Sequence, residues 1–275
     1  MPLTKNQNYI EVFKDTIRTY SIEYAEYTDE LCKGGTTVYT DDVQDIIDSF
    51  DKRKMKVSVI VGDTVETGRQ WVEKHPDKVT AVLNFADAII PGGMVLVGAS
   101  TQEEHICRCS NLYASIKTDI ADELYYKVNS KSFLRGIYTN SVIYSKNVLF
   151  FRSGSDYSFL EKPYQMDVIT CPAPSLWLSE SYATKIVCYR AERIIQSAIK
   201  NGVDNLILGA WGCGAFGQDP EIVAKCFKSI LKKYPAFDNV VFAIRNCSAD
   251  YENLTTSNYA VFKRILDNGK SRKTI

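Results

Sequence analysis

Two adjacent carboxylates, Glu103 and Glu104, close a segment that reads Ile90-Pro91-Gly92-Gly93-Met94-Val95-Leu96-Val97-Gly98-Ala99-Ser100-Thr101-Gln102. Neighbouring residues of a helix point about 100° apart, since one turn takes about 3.6 residues, so the two acids cannot share one job. One can catalyse while the other orients a substrate. The plainer reading is a capping box: Ser100 with Glu103, or Thr101 with Glu104, has the spacing in which the acid only satisfies backbone donors at a helix start. Gly92 and Gly93, just upstream, favour a site, because glycine lets backbone N–H groups come close to an anion.

A second glycine-rich segment, Gly209-Ala210-Trp211-Gly212-Cys213-Gly214-Ala215-Phe216-Gly217-Gln218-Asp219-Pro220, strengthens that reading. Asp219 stands where a helix N-cap belongs and Pro220 at the first helical position. Gly212, Gly214 and Gly217 also satisfy G-x-G-x-x-G, a weak sign of a dinucleotide site when it stands alone. The dinucleotide fold normally puts an acid at the end of its next strand, whereas here Val240 to Ile244 runs into Arg245. Four glycines in nine positions cost stability unless close backbone approach repays it, although Trp211 and Phe216 as mere core residues are the alternative. Both glycine segments follow apolar runs and precede helices, so backbone donors and the positive helix end together suit a diphosphate.

The elements that must hold these loops are legible from periodicity. Apolar residues from Asn8 to Tyr27 recur at helical spacing and predict an N-terminal helix. Lys56 to Val61, Val79 to Phe85, Asp167 to Thr170, Asn205 to Ala210 and Val240 to Ile244 are short apolar runs of the kind that form buried strands. Asp63 opens a helix after the first of them, and helices are expected over Tyr182 to Lys200 and Pro220 to Lys233. Tyr138 to Phe151 reads as a hairpin or paired strands, which would make the sheet mixed. Strands alternating with helices predict an α/β fold with a central sheet covered on both faces.

Composition narrows the partners. The 275 residues are 45% hydrophobic and suit one large α/β domain, 1–275, in which 1–50 form a helical extension. Thirty-three basic and thirty-three acidic side chains cancel, so direct nucleic-acid binding is not expected. The eight cysteines lack a C-x-x-C and the two histidines, His75 and His105, lack zinc spacing, so no metal is expected. No apolar run approaches the roughly 20 residues that span a bilayer, and no signal-peptide pattern opens the chain. A cytoplasmic protein with reduced, mostly buried thiols is the expectation, with Cys107 and Cys213 as structural thiols rather than nucleophiles.

The chain resembles the bacterial-type poly(ADP-ribose) glycohydrolases of the macrodomain superfamily. Their signature is three glycines, a short spacer and Gln-Glu-Glu. Gly92, Gly93 and Met94 stand at the glycine positions, Val95 to Thr101 form the spacer, and Gln102-Glu103-Glu104 complete it. The likeness extends through Asn84-Phe85-Ala86, Glu103 to Tyr113, Asp167 to Pro174 and Leu208 to Gly217. The resemblance implies a macrodomain-like three-layer α/β/α sandwich and a hydrolase that cleaves the ribosyl linkage of poly(ADP-ribose) or of terminal ADP-ribosyl groups on protein, without a cofactor. By the same resemblance Glu104 is the general acid and base, and Glu103 binds ribose hydroxyls. Gln102, Asn84, Asp87, Gly92, Gly93, Gly212, Cys213, Gly214, Ala215, Phe216 and Gly217 are the expected substrate-binding residues, with the diphosphate between the two loops and Phe216 against the ribose. A raised pKa is what an acid working at neutral pH requires. Met94 departs from the signature; if that position needs positive φ or close approach, an altered acceptor or a non-catalytic ADP-ribose reader becomes the alternative.

Overall fold

The computed structural model describes residues 4–41, 46–131, 136–175, 180–245 and 257–267. Thr4 caps the first helix, α1 (Lys5–Ile22), in a capping box with Gln7. The helix expected to reach Tyr27 stops at Ile22, and the chain restarts as α2 (Ala25–Glu30) before a short edge strand, β1 (Thr36–Tyr39). Then follow β2 (Lys56–Val61), α3 (Thr64–Lys74) and β3 (Thr80–Phe85). After the first glycine segment come α4 (Gln102–Cys109) and α5 (Leu112–Ile116), then a helical run of α6 (Asp119–Ala121), one wide turn and α7 (Lys127–Lys131). The remainder is β4 (Val142–Arg152), β5 (Phe159–Cys171), α8 (Glu180–Lys200), β6 (Asn205–Leu208), α9 (Pro220–Lys233), β7 (Asn239–Ile244) and α10 (Asn258–Leu266).

These strands form one mixed sheet in the order β1-β4-β5-β3-β6-β7-β2. From β5 to β2 every neighbour is parallel; β4 is antiparallel to both β1 and β5. Tyr138 to Phe151, expected as a hairpin or paired strands, holds a single strand, β4, paired antiparallel to β1 and β5. Its polar centre, Ser145-Lys146-Asn147, looks like turn chemistry, but a bulge carries the strand through it. Asn147 takes the left-handed conformation (φ 57°), and its N–H donates to Asp167 Oδ1 at 2.7 Å.

Successive residues of a strand face opposite ways, so each central strand feeds two cores. Ala81 and Leu83 of β3, Leu206 and Leu208 of β6, and Val240 and Phe242 of β7 pack beneath α8, α9 and α10. Val82, Ile207 and Val241, their neighbours in sequence, pack with Val65 of α3, Ile106 of α4 and Phe13 of α1. The result is a three-layer α/β/α sandwich in which the apolar runs are buried on both faces. Among the cysteines, Cys188 of α8 and Cys226 of α9 are joined as a disulfide, where thiols were expected. Those two helices lie side by side, and a Cα separation of 5.1 Å falls within disulfide range. Cys32, Cys107, Cys109, Cys171 and Cys213 are free thiols, and Cys247 lies outside the described residues.

Candidate active site

The parallel strands all end on one edge, where open α/β sheets bind ligands. A cleft of about 310 Å³ lies there. Its walls are Gly62, Asp63 and Thr64 after β2, Phe85 at the end of β3, Ala210, Gly212, Gly214, Ala215 and Phe216 after β6, and Ile244 and Arg245 at the end of β7. Ser100, Thr101 and Gln102, the start of α4, close it.

Neither capping box forms at that start. Thr101 occupies the N-cap position, but its hydroxyl donates to Glu104 Oε2 instead of accepting from the backbone. Glu104 also receives the Met94 N–H on Oε1 at 2.9 Å. Glu103 faces elsewhere: the Asp87 N–H donates to it at 2.7 Å and Asn84 Nδ2 at 3.3 Å. Only 2% of Glu103 is exposed, and burial pushes its carboxyl well above the ordinary glutamate value despite those hydrogen bonds. The neighbouring Asp87 and Glu104 carboxylates push it the same way. The two acids therefore have separate settings, as their angular offset requires.

Each remaining predicted residue has a definable place. Gln102 braces three elements: its Oε1 accepts from Phe85 N, and its Nε2 donates to Leu83 O and to Thr64 Oγ1. Asn84 is fully buried and shares its Nδ2 between Glu103 and Thr170 Oγ1. The Asp87 side chain caps a turn by accepting from Ile89 N and Ile90 N. Gly93, at φ 57°, lies against the carboxylates: a Cβ there would sit 2.6 Å from Glu104 Oε1 and 3.1 Å from Glu103 Oε2. Gly92 lies against the Tyr113 ring, and neither glycine borders the cleft. Met94 has φ −97°, open to any L residue, so its position makes no demand for glycine's left-handed backbone.

The second loop does border the cleft. Gly214, Ala215 and Phe216 face it, and a side chain at Gly214 would meet only open space, so backbone can be approached there. Gly212 and Gly217 take φ 77° and 62° and turn the loop. Trp211 is a core residue, fully buried with Nε1 donating to Cys171 O at 3.0 Å. Phe216 is half-buried at the cleft wall. Burial pushes the Cys213 thiol up to about 12, which leaves it protonated and a poor nucleophile.

Sequence reasoning missed a polar chain behind the cleft. Asp63 caps α3 through Val65 N and Glu66 N, pairs with Arg245 (Nε at 2.9 Å), and lies 3.2 Å from His105 Nε2. Burial raises its pKa, but the hydrogen bond and charge of His105 and the charge of Arg245 outweigh that and hold it well below the usual range. His105 Nδ1 is 2.9 Å from the Tyr157 hydroxyl. Arg108, fully buried, lies over the Tyr9 ring at 4.5 Å and over the Tyr157 ring at 5.4 Å. The legible signals were Asp63 as a cap after a strand and Arg245 as a cation at a strand end.

The same architecture recurs in solved structures of poly(ADP-ribose) glycohydrolases. That from Thermomonospora curvata bound to the inhibitor ADP-HPD is 27% identical over 94% of this chain and 98% of its own, with a TM-score of 0.81. That from Deinococcus radiodurans in complex with ADP-ribose is 30% identical over 87% and 97%, with a TM-score of 0.76. The fold is that of the macrodomain-like glycohydrolases. No curated protein matches the chain, but residues 12–153, just over half of it, match the model of the microbial-type PARG catalytic domain. The chain belongs to that family.

Proposed function

We propose that this protein releases ADP-ribose by hydrolysing the ribosyl glycosidic linkage of poly(ADP-ribose) or of terminal ADP-ribosyl groups on protein, with Glu104 as general acid and base. The observation that carries the reading is the unequal pair at the head of α4. Glu104 is held by the Met94 N–H and by Thr101, a residue of the cleft wall, while Glu103 is buried beside it on different donors.

The cleft has the size of a small-ligand site. A diphosphate fits the exposed backbone at Gly214 to Phe216, and a base fits between Phe85 and Ile244, near the Asp63–Arg245 pair. Phe216 packs on the ribose, and Glu103 orients its hydroxyls. The Glu104 carboxyl donates its proton to the leaving oxygen as the C1″–O bond breaks with oxocarbenium character. The resulting carboxylate takes a proton from water as that water adds to C1″, so the acid is regenerated. The products are ADP-ribose and a free hydroxyl on the acceptor.

Residues 1–275 act as one catalytic domain in this reading. It needs no cofactor or nucleic acid, and its location is the cytoplasm. No helix among the described residues is long and apolar enough to cross a membrane. The test is release of ADP-ribose from poly- and mono(ADP-ribosyl)ated protein by wild type and Glu104→Gln, with binding of free ADP-ribose measured on both. Loss of release by about 100-fold or more with binding intact is expected. Equal release by the two proteins would overturn the assignment.

A further inference from the structure

The loop from β3 to α4 exposes apolar side chains beside the proposed acid. Ile89 and Ile90 are open to solvent, and Met94, Leu96 and Val97 are 50%, 59% and 54% exposed. Clustered apolar exposure of this kind marks a contact surface. The rim is held in place: Val95 is fully buried, Gly98 backs onto the Asn6 backbone, and the Met94 N–H grips Glu104. The Met94 side chain thus leaves the backbone at the residue whose N–H touches the proposed acid, and no rim residue borders the cleft.

The inference rests on the function proposed above. With the ADP-ribosyl group in the cleft and its glycosidic oxygen against Glu104, the departing group must emerge outside the cleft, past the Met94 rim. In poly(ADP-ribose) the departing oxygen belongs to the adenosine ribose of the next unit, so an adenine hangs from the ring that carries the scissile bond. That adenine is flat and neutral, whereas its diphosphate is anionic. Residues 89–97 contain no Lys, Arg or His to meet a phosphate. A thioether and aliphatic side chains suit the face of an aromatic base.

We propose that Met94, with Leu96 and Val97 beside it, is the platform that receives the adenine of the departing ADP-ribose unit and so favours polymer ends over small acceptors. The difference from the signature glycine is then a specificity determinant, placed where the backbone tolerates any side chain.

The test compares binding of ADP-ribose with binding of a two-unit ADP-ribose oligomer in the Glu104→Gln protein, with and without Met94→Ala or Leu96→Ser, while turnover of the oligomer is followed in wild type. The oligomer should bind more tightly than the monomer, and each rim substitution should cut that advantage by up to about tenfold. Turnover in wild type with an advantage that is absent, or indifferent to both substitutions, overturns the platform and leaves the hydrolase standing. An advantage that depends on Met94 without any turnover leaves no departing unit, and overturns the proposal together with the hydrolase.

Discussion

Glu103 and Glu104 are adjacent and both buried, yet they rest on different donors. Glu103 has a pKa raised in the folded state, so folding takes up a proton there and the associated stability is complete below the unfolded value of about 4.3. It is lost as pH rises toward the folded value. Urea unfolding of wild type should therefore show stability declining above pH 4, and Glu103→Gln should flatten that decline; parallel pH profiles would overturn the assignment. Both glutamates were legible because two adjacent acids after a glycine segment are unusual. The Asp63–His105–Tyr157 chain was not, since its members lie 42 and 52 residues apart and only the fold brings them together.

At the scale of elements, the first loop and α1 act as one assembly. Gly98 has φ 80°, and a Cβ there would lie 2.4 Å from the Asn6 carbonyl oxygen, so the loop can seat on α1 only without a side chain. Gly98→Ala should cost about 1–3 kcal/mol through backbone strain and clash, read as a lowered Tm, and should loosen the Met94–Glu104 contact, read as a lower kcat. A variant as stable and active as wild type would show that the seat is dispensable. β2, β3, β6 and β7 were readable to within two residues as short apolar runs, and α9 from its Asp219 cap and Pro220. β1 was hidden by its brevity at the sheet edge, and the first half of β5 by its solvent-facing polar residues. The bulge in β4 hid behind residues that also make turns.

Across the whole molecule, the site hangs on the sheet that joins the two cores. Phe242 of β7 is fully buried, with Phe227 of α9 and Phe262 of α10 each 5.6 Å away between ring centres. Phe242→Ala should destabilise the fold by about 3–5 kcal/mol, measured by denaturant unfolding. A loss below about 1 kcal/mol would mean that the layer repacks around the gap. Overall α/β class was readable from alternation, whereas strand order was not, because parallel neighbours such as β3 and β6 are more than a hundred residues apart in the chain.

That pairing has a further consequence. The segment matching the family model ends at residue 153 and carries both glutamates, while the glycine wall of the cleft begins only after β6. The proposed acids and the proposed anion-binding loop thus lie in different halves of the chain, and registry between Thr80 and Asn205, Ala81 and Leu206, Val82 and Ile207 is what brings them to a common edge. During synthesis the two glutamates emerge long before the glycine wall, so the proposed site is assembled only once the second half of the chain has been made and paired with the first.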